Sequence, residues 1–384
     1  MTRWHLRRSG GWLGIALAVV VASASAAYIE EEFGPAAPVR PERPLRPPVA
    51  PPPPTPHVPE LAAYLDRLEI RHPLVCGRLA VFPVMLRGHG GPAGRWWTAD
   101  ESIAKGILIV TEKEGGGSVP LLVMENRCPA VHVFVMAGEV LSGGKQTRTV
   151  RRDVVLSPGQ RVEIPVCCVE ARRWKGEAGF GAAGVLVPQS IQKALRQGAD
   201  QAVVWAEVAR NNAALGSENA TGSLELGLKA EPVAEKLADV RRTLVPEVPA
   251  GSVGFIFADR FAGRAVGGEF FGRSDLAHGL LPKLIDAYAV DFVLQVGRDG
   301  AVRPVDRAVA HEFLDRVRRA GSYRTGTPGS GSGIAARSAG LVGDGVGLGP
   351  HLVHFGCQVE DRIVVPLVRP VPRRGNITPG VMVE

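Results

Sequence analysis

The chain has 384 residues, a formal net charge of +7 and 45% apolar residues, so it is long enough for one large domain or two smaller ones. Acidic and basic residues are interspersed, and no run of lysine and arginine exceeds three residues. Basic stretches interleaved with aromatic residues are missing from the sequence, which argues against a nucleic-acid-binding protein. The charge excess favours an anionic partner only weakly.

The first 27 residues have the three parts of a secretory signal peptide. Three arginines lie within the first eight residues, an apolar run covers residues 12–21, and alternating alanines and serines follow. We therefore expect cleavage near Ala27 and a mature protein in the periplasm or outside the cell. An uncleaved membrane anchor over residues 12–27 is the alternative, because the run and its small-residue tail approach the length of a short span. N-terminal sequencing of the protein from its native host distinguishes the two.

Residues 28–58 are predicted to form a proline-rich linker. Twelve of the 25 residues at positions 35–59 are proline. Proline fixes φ and lacks a backbone N–H, so this stretch cannot form a helix or a central strand. We expect an extended polyproline II stalk that presents the following domain. A docking ligand for an aromatic groove is the alternative.

The next part of the chain is predicted to be rich in β-structure. A helix over residues 59–71 comes first, because its leucines and Tyr64 fall on one face. Turn residues then separate six strand-like runs, at residues 74–86, 106–113, 119–125, 130–141, 147–156 and 161–170. Short strands with glycine at most corners predict a compact antiparallel unit, either a sandwich or an open barrel.

The second half is predicted to mix helices and strands. The predicted helices cover residues 190–211 with a break or bend near Gly198, a segment beginning at Pro232, residues 274–288 and residues 306–320. The predicted strands cover residues 253–259, 265–271 and 290–296, with a closing hairpin of residues 351–359 and 362–368. The glycine- and serine-rich residues 325–350 are predicted to form a mobile loop.

The predicted fold class is therefore α+β, with an antiparallel β-rich N-terminal part followed by a mixed helix/strand part. One domain is expected over residues 59–300. Residues 301–384 are expected to supply a C-terminal helix, the loop and the closing hairpin.

The five cysteines leave the disulfide state open; they are Cys76, Cys128, Cys167, Cys168 and Cys357. Their odd number leaves at least one thiol unpaired, even where export permits disulfides. Cys167 and Cys168 are adjacent on a predicted strand, so we expect them to point to opposite faces. No C-x-x-C pair occurs, and His351 and His354 face opposite sides of a predicted strand, so no metal site is predicted. No cofactor is predicted either, since Gly115-Gly116-Gly117 lacks the Lys-Ser/Thr of a phosphate loop.

Two blocks of sequence concentrate polar side chains in an otherwise apolar stretch. They are AGEVLSGGKQTR at residues 137–148 and IPVCCVEARRW at residues 164–174. Short turns join the strands that carry them, so we expect Glu139, Arg148, Glu170 and Trp174 to lie in one neighbourhood.

These residues have two interpretations. In the structural one, the ion pairs Glu139–Arg148 and Glu170–Arg173 fix the turn and the register of the strands. In the functional one, they form a pocket for a polar or anionic ligand, with Trp174 as a stacking wall. The candidate ligand-binding residues are then Lys145, Gln146, Arg148, Arg173 and Trp174.

The same blocks resemble the ARG and Rhodanese-Phosphatase-superfamily-associated protein domain family. The strings G-E-x-L-x-G-G-K-Q-x-R and C-V-E-x-x-R-W are the specific parts of the resemblance. VPLLVMENRCPAVHVFVMAGE and VGFIFADRFAGRAVGGEFFGRSDLAHGLLPKLIDAYAVD extend it over roughly residues 64–300. The family's name implies association at the gene level with ADP-ribosylglycohydrolase-type and phosphatase-type proteins. The resemblance implies no reaction and no catalytic residues.

The sequence thus favours an exported ligand-binding or interaction module presented on a proline-rich stalk. Contact with a membrane is expected only through the N-terminal segment. The alternative is a hydrolase of a polar or anionic substrate, for example an ADP-ribose-like one. In that case Glu139 and Glu170 are the candidate catalytic acid/base pair.

Overall fold

The computed structural model describes residues 58–88, 90–113, 120–292 and 301–360. The predicted signal peptide, the linker up to residue 57, the Gly115-Gly116-Gly117 turn and the predicted strand at residues 362–368 lie outside these ranges. All five cysteines lie within them and are unpaired. No helix in the described ranges is long and apolar enough to cross a membrane.

The described residues form eight α-helices, eighteen strands and one short 3-10 helix, Val245–Glu247. The helices are α1 Pro59–Leu65, α2 Ala99–Ala104, α3 Gln189–Arg196, α4 Gln201–Leu215, α5 Leu224–Leu228, α6 Glu231–Leu244, α7 Ser274–Phe292 and α8 Arg307–Arg319. The strands are β1 Leu68–Ile70, β2 Leu74–Cys76, β3 Leu79–Leu86, β4 Arg95–Thr98, β5 Leu108–Glu112, β6 Leu121–Asn126, β7 Val131–Val135, β8 Glu139–Gly143, β9 Arg148–Val150, β10 Val154–Leu156, β11 Arg161–Cys168, β12 Gly179–Leu186, β13 Gly254–Asp259, β14 Arg264–Phe271, β15 Gly321–Thr325, β16 Ser332–Ser338, β17 Leu341–Leu348 and β18 His351–Val359.

Six strands form a closed antiparallel barrel in the order β11-β6-β5-β12-β8-β9, and β9 pairs back with β11. Alternate residues of these strands point inward and form one apolar core, which includes Val110, Leu122, Leu141, Val150 and Ile164. Strand β7 pairs with β10 and, in parallel, with β4 beside the barrel.

The other large element is a nine-stranded antiparallel sheet in the order β1-β3-β13-β14-β18-β17-β16-β15, with β2 paired to β3. Its two faces belong to different cores because side chains alternate along each strand. Phe82 of β3 packs in the core that contains α1 and α8, whereas the preceding Val81 packs in the core that contains α7. The predicted α+β class with a β-rich N-terminal part is confirmed.

Several predicted segments of the β-rich part differ in the structure. The predicted helix at residues 59–71 ends at Leu65, because residues 68–70 pair with β3. The predicted runs at 74–86, 130–141 and 147–156 each divide into two strands. The barrel is closed because β12, a glycine- and alanine-rich strand that the sequence pattern missed, pairs with both β5 and β8.

Two predictions in the second half were wrong. Residues 290–292 of the predicted strand at 290–296 form the last turn of α7, and residues 293–296 lie outside the described ranges. The predicted mobile loop at residues 325–350 contains β16 and β17, which pair with each other over seven residues. Glycine is frequent there because neighbouring strands and Phe355 leave no space for a β-carbon at Gly343 and Gly345. The helix predicted at residues 306–320 is confirmed as α8.

Candidate functional site

The two sequence blocks hold each other in place at one end of the barrel. Thr147 N donates to Glu170 Oε2 at 3.0 Å, and Arg173 Nε donates to the same oxygen at 2.9 Å. Arg173 Nη1 also donates to the carbonyl oxygen of Gly144 at 2.8 Å. Burial alone would raise the pKa of Glu170, but these donors lower it below its ordinary value. The predicted Glu170–Arg173 pair is confirmed, and it fixes the turn between β8 and β9.

The glycine pair in the first block is required by that turn. Gly143 and Gly144 have φ values of 122° and 55°, in the region that favours glycine. A β-carbon on Gly144 would also collide with the Phe180 ring.

Arg148 lies inside the barrel end and is fully buried. It pairs in register with Leu141 and Cys168, so its side chain shares their face of the sheet. Arg148 Nη1 donates to Gln146 Oε1 at 2.9 Å and contacts Cys168 Sγ at 2.7 Å. Glu112 Oε1 lies 3.9 Å from Arg148 Nη2. Cys167 packs instead in the core outside the barrel, as its opposite orientation predicts.

Trp174 lies over this end of the barrel and is 53% exposed. Its ring centroid is 5.8 Å from Arg148 Cζ and 5.5 Å from Lys145 Nζ. The candidate ligand-binding residues therefore converge, and we call them the barrel-end cluster: Lys145, Gln146, Arg148, Arg173 and Trp174. Glu170 belongs to the same neighbourhood through Thr147 and Arg173.

Glu139 is separate from this cluster, and the predicted Glu139–Arg148 pair was wrong. Its carboxylate accepts from Met136 N at 2.7 Å and from Lys283 Nζ of α7, a residue 144 positions away. Lys283 Nζ also lies 2.9 Å from Asp100 Oδ2. Burial raises the pKa of Glu139, and Lys283 only partly offsets that effect. Among the described residues, Glu139 and Glu170 share no hydrogen-bond or ion-pair partner.

We expect Arg148→Ala to lower the free energy of unfolding by about 3 kcal/mol, because it leaves Glu112 without its buried cation and opens a void. Trp174→Ala is expected to change stability by less than about 1 kcal/mol, since half of this side chain is in solvent. Urea unfolding of both variants checks this pair of expectations. Equal stability of Arg148→Ala and the unaltered protein would show that the cluster does not hold the barrel end together.

A second constellation, which the sequence did not reveal, lines a cavity of about 600 Å³ between the barrel, the end of α3 and strands β15–β17. We call it the arginine cavity. Its charged wall residues are Arg151, Arg152, Asp153, Arg196, Arg337 and Asp344. Four arginines and two aspartates give these wall residues a formal charge of +2, from 4 − 2.

Arg196 is the most deeply buried of these arginines, with a side chain that is 3% exposed. Its Nε donates to Asp344 Oδ1 at 2.7 Å, and its Nη2 donates to Glu269 Oε2 at 3.1 Å. Nη1 has no hydrogen-bond partner among the described residues. Gly356 makes this packing possible, because a β-carbon there would collide with the Arg196 and Glu269 side chains.

Two of the other arginines, Arg151 and Arg337, bond to the backbone at the end of α3. Arg337 Nη2 donates to the carbonyl oxygen of Arg196 at 2.6 Å, and Arg151 Nη2 donates to that of Ala199. Arg152 makes one long contact, 3.5 Å to the Gly326 carbonyl oxygen. Since each guanidinium carries five N–H groups, most of them stay available to a ligand.

His354 links this wall to the core beneath it. Its Nδ1 lies 2.6 Å from Asp153 Oδ2, and its Nε2 lies 3.2 Å from Glu269 Oε2. Burial alone would lower the pKa of His354, but the two carboxylates raise it to about 9. Burial also raises the pKa of Asp344. The cavity wall is thus backed by a buried network of alternating charges.

No single sequence motif predicts the arginine cavity, because its charged residues come from three separate parts of the chain, residues 151–153, 196 and 337–344. The Arg151-Arg152-Asp153 triplet was the only local signal, and two residues separate it from the end of the first conspicuous block. In the described ranges, no group of three or more His, Cys, Asp or Glu residues is placed to hold a metal ion.

A family model described as ARPP-1, ARG and Rhodanese-Phosphatase-superfamily-associated Protein domain, matches residues 67–357. The match includes both sequence blocks and continues through the strands that follow residue 300. Comparison with curated proteins and with solved structures gave no match.

Proposed function

Because the chain belongs to the ARG and Rhodanese-Phosphatase-superfamily-associated Protein domain family, whose description names no ligand, we propose a function from the geometry of the arginine cavity. The protein is a binding module for a small ligand that carries phosphate or carboxylate groups. The ligand occupies the arginine cavity, and the guanidinium groups bind its oxygens.

The observation that carries this proposal is Arg196. Its guanidinium is held by Glu269 and Asp344, yet Nη1 is left without a hydrogen-bond partner in the described part of the chain. A buried donor without a partner is unfavourable, so an acceptor brought close to Nη1 would stabilise the guanidinium. Arg152 and Arg337 in the same wall supply the planar donors that bind oxyanions in pairs.

The size of the cavity supports the same class of ligand. A volume of about 600 Å³ lies within the range typical of small-molecule sites, roughly 300–1,000 Å³. Tyr323, Thr325 and Thr327 add hydroxyl groups to the wall. These neutral donors suit a ligand that has sugar-like or carboxylate oxygens beside its charged group.

The barrel-end cluster stays a second predicted binding position. Two guanidinium nitrogens of Arg148, Nε and Nη2, have no hydrogen-bond partner among the described residues, and Trp174 exposes a face beside them. We prefer the arginine cavity because the Glu170–Arg173 ion pair already gives the barrel-end cluster a structural role.

Hydrolysis through Glu139 and Glu170 also stays a prediction. It is not favoured, because the two carboxylates have different hydrogen-bond and ion-pair partners. Export and presentation on a stalk concern residues 1–58, of which only Val58 is described. They remain part of the proposal.

Calorimetric titration with inorganic pyrophosphate tests the proposal. We expect the unaltered protein to bind it in a salt-sensitive manner. The double variant Arg152→Ala/Arg337→Ala should bind at least about tenfold more weakly, because it loses two charged donors. Arg242→Ala is the matched control, since Arg242 is exposed on α6 and pairs with Asp239 outside the cavity.

Either of two results would contradict the proposal. One is the absence of heat at millimolar pyrophosphate in the unaltered protein. The other is an equal loss of affinity in the Arg242→Ala control, which would show binding through net charge alone.

A further inference from the structure

A second cavity, of about 680 Å³, lies on the other side of α3. Its wall includes Gln189 of α3, Val203 of α4, Val266 of β14, Gln358 of β18 and Phe261. We call it the amide cavity because of its two buried glutamines. Its ligand chemistry is independent of the arginine cavity.

The two glutamines form a bonded pair with one donor and one acceptor left over. Gln358 Nε2 donates to the backbone oxygen of Gln189 at 3.2 Å and to Gln189 Oε1. This pairing fixes the orientation of both amides. Gln189 Nε2 and Gln358 Oε1 then have no hydrogen-bond partner among the described residues. Gln189 is 8% exposed and Gln358 is 3% exposed, so solvent does not satisfy these atoms.

The unpaired N–H donor of Gln189 and the unpaired carbonyl acceptor of Gln358 can pair with complementary groups on the edge of a planar ligand. The complementary edge has a carbonyl oxygen for Gln189 Nε2 and an N–H for Gln358 Oε1. A carbonyl next to an N–H in a ring is a lactam, as in uracil-type heterocycles. Leaving both protein groups unpaired is costly, so the ligand edge that pairs them gains affinity and selectivity together.

Four basic residues line the amide cavity, namely Arg78, Lys193, Arg210 and Arg264, and two of them are paired with carboxylates of the same wall. Arg78 is bonded to Asp259, with 2.6 Å from Nε to Oδ1. Arg210 is bonded to both carboxylate oxygens of Glu207. These pairs leave two of the cations in the wall neutralised by the protein itself. Val203 and Val266 provide an apolar surface for the faces of a ring.

We propose that the amide cavity binds a planar heterocycle through a lactam edge, which pairs with Gln189 Nε2 and Gln358 Oε1. Ring faces pack on the apolar wall. The cavity selects its ligand by the N–H and carbonyl of one ring edge.

Two methylated uracils test this directly, because they differ in one hydrogen-bond donor. 1-Methyluracil keeps the ring N–H between its carbonyls, whereas 1,3-dimethyluracil has a methyl group there. We expect 1-methyluracil to bind at least about tenfold more tightly, by calorimetry or ligand-observed NMR, because the dimethyl ring leaves Gln358 Oε1 unpaired.

Glutamine-to-methionine variants, which keep a similar side-chain volume, test whether the two glutamines cause this preference. Gln358→Met removes the unpaired acceptor and should abolish the preference between the two rings. Gln189→Met removes the donor and serves as the second variant if Gln358→Met does not fold. Gln197→Met is the control, because Gln197 also lines this cavity but donates to Glu360 near the surface.

Retention of the preference in Gln197→Met and its loss in Gln358→Met would support the proposal. Equal binding of the two uracils, binding of neither, or an unchanged preference in a folded Gln358→Met or Gln189→Met variant would overturn it.

Discussion

Arg196→Leu is expected to lower the free energy of unfolding by about 3–5 kcal/mol. The change removes the cation between Glu269 and Asp344. Glu269 is fully buried, so its carboxylate would lose a partner that water cannot replace. Urea unfolding at neutral pH measures the loss.

A double-mutant cycle separates the ion pair from the packing of the side chain. Glu269→Gln alone and Arg196→Leu alone should each destabilise the protein, and the double variant should lose less than their sum. Arg337→Ala is the control, because its side chain lies at the surface of the same cavity, and a loss of under about 1 kcal/mol is expected. Strict additivity in the cycle, or equal losses in Arg196→Leu and Arg337→Ala, would contradict the buried network.

His354 should make stability depend on pH between neutrality and pH 9. Its pKa in the folded protein is about 9, raised by Asp153 and Glu269 above the ordinary value of 6.5. A raised pKa means that the stabilising contribution is fully present below about pH 6.5 and is lost as the pH rises through about 9. A rise of this size corresponds to about 3 kcal/mol at most.

The difference in unfolding free energy between the unaltered protein and His354→Gln isolates this contribution. Other buried groups titrate in the same range, notably Asp291, whose pKa burial raises to about 7. Their effects cancel in the difference, because both proteins contain them. We expect the difference to shrink from pH 6 to pH 9.5. A difference that is constant with pH would show that His354 is neutral in the folded protein.

Local sequence patterns correctly predicted those elements that are determined by residues close together in the chain. The apolar stripe Val233, Leu237, Val240 and Leu244 predicted α6, and all four side chains are buried. The paired polar blocks predicted the Glu170–Arg173 bond and the approach of Trp174 to Arg148, since short turns bring those strands together.

Features that depend on distant segments were not predictable in this way. Closure of the barrel depends on β12, whose glycines and alanines give no strand signal of their own. Glu139 was paired with the wrong cation because Lys283 lies on a helix 144 residues away. The glycine-rich β16 and β17 resemble a loop in composition, yet they fill a place in the sheet where only small residues fit between the neighbouring strands.

The arginine cavity was not predictable either, because distant segments form it and no local motif marks it. Arg196 lies on a helix, Arg337 on a strand and Arg152 beside the barrel, so the sequence never brings them together. Each has an ordinary structural explanation when taken alone, as a cation near the end of a helix or a strand. Only their convergence on one cavity indicates a binding site.

A crystal of the protein grown or soaked with sodium tungstate tests anion binding in the arginine cavity, because tungstate is a phosphate-like oxyanion that anomalous scattering locates. We expect a tungsten peak in the arginine cavity, with oxygens within hydrogen-bond distance of Arg196 and of Arg152 or Arg337. The same soak of Arg152→Ala/Arg337→Ala crystals should give a weaker peak or none. Tungsten peaks confined to other surfaces of the unaltered protein, with the arginine cavity free of them, would show that this cavity does not bind oxyanions.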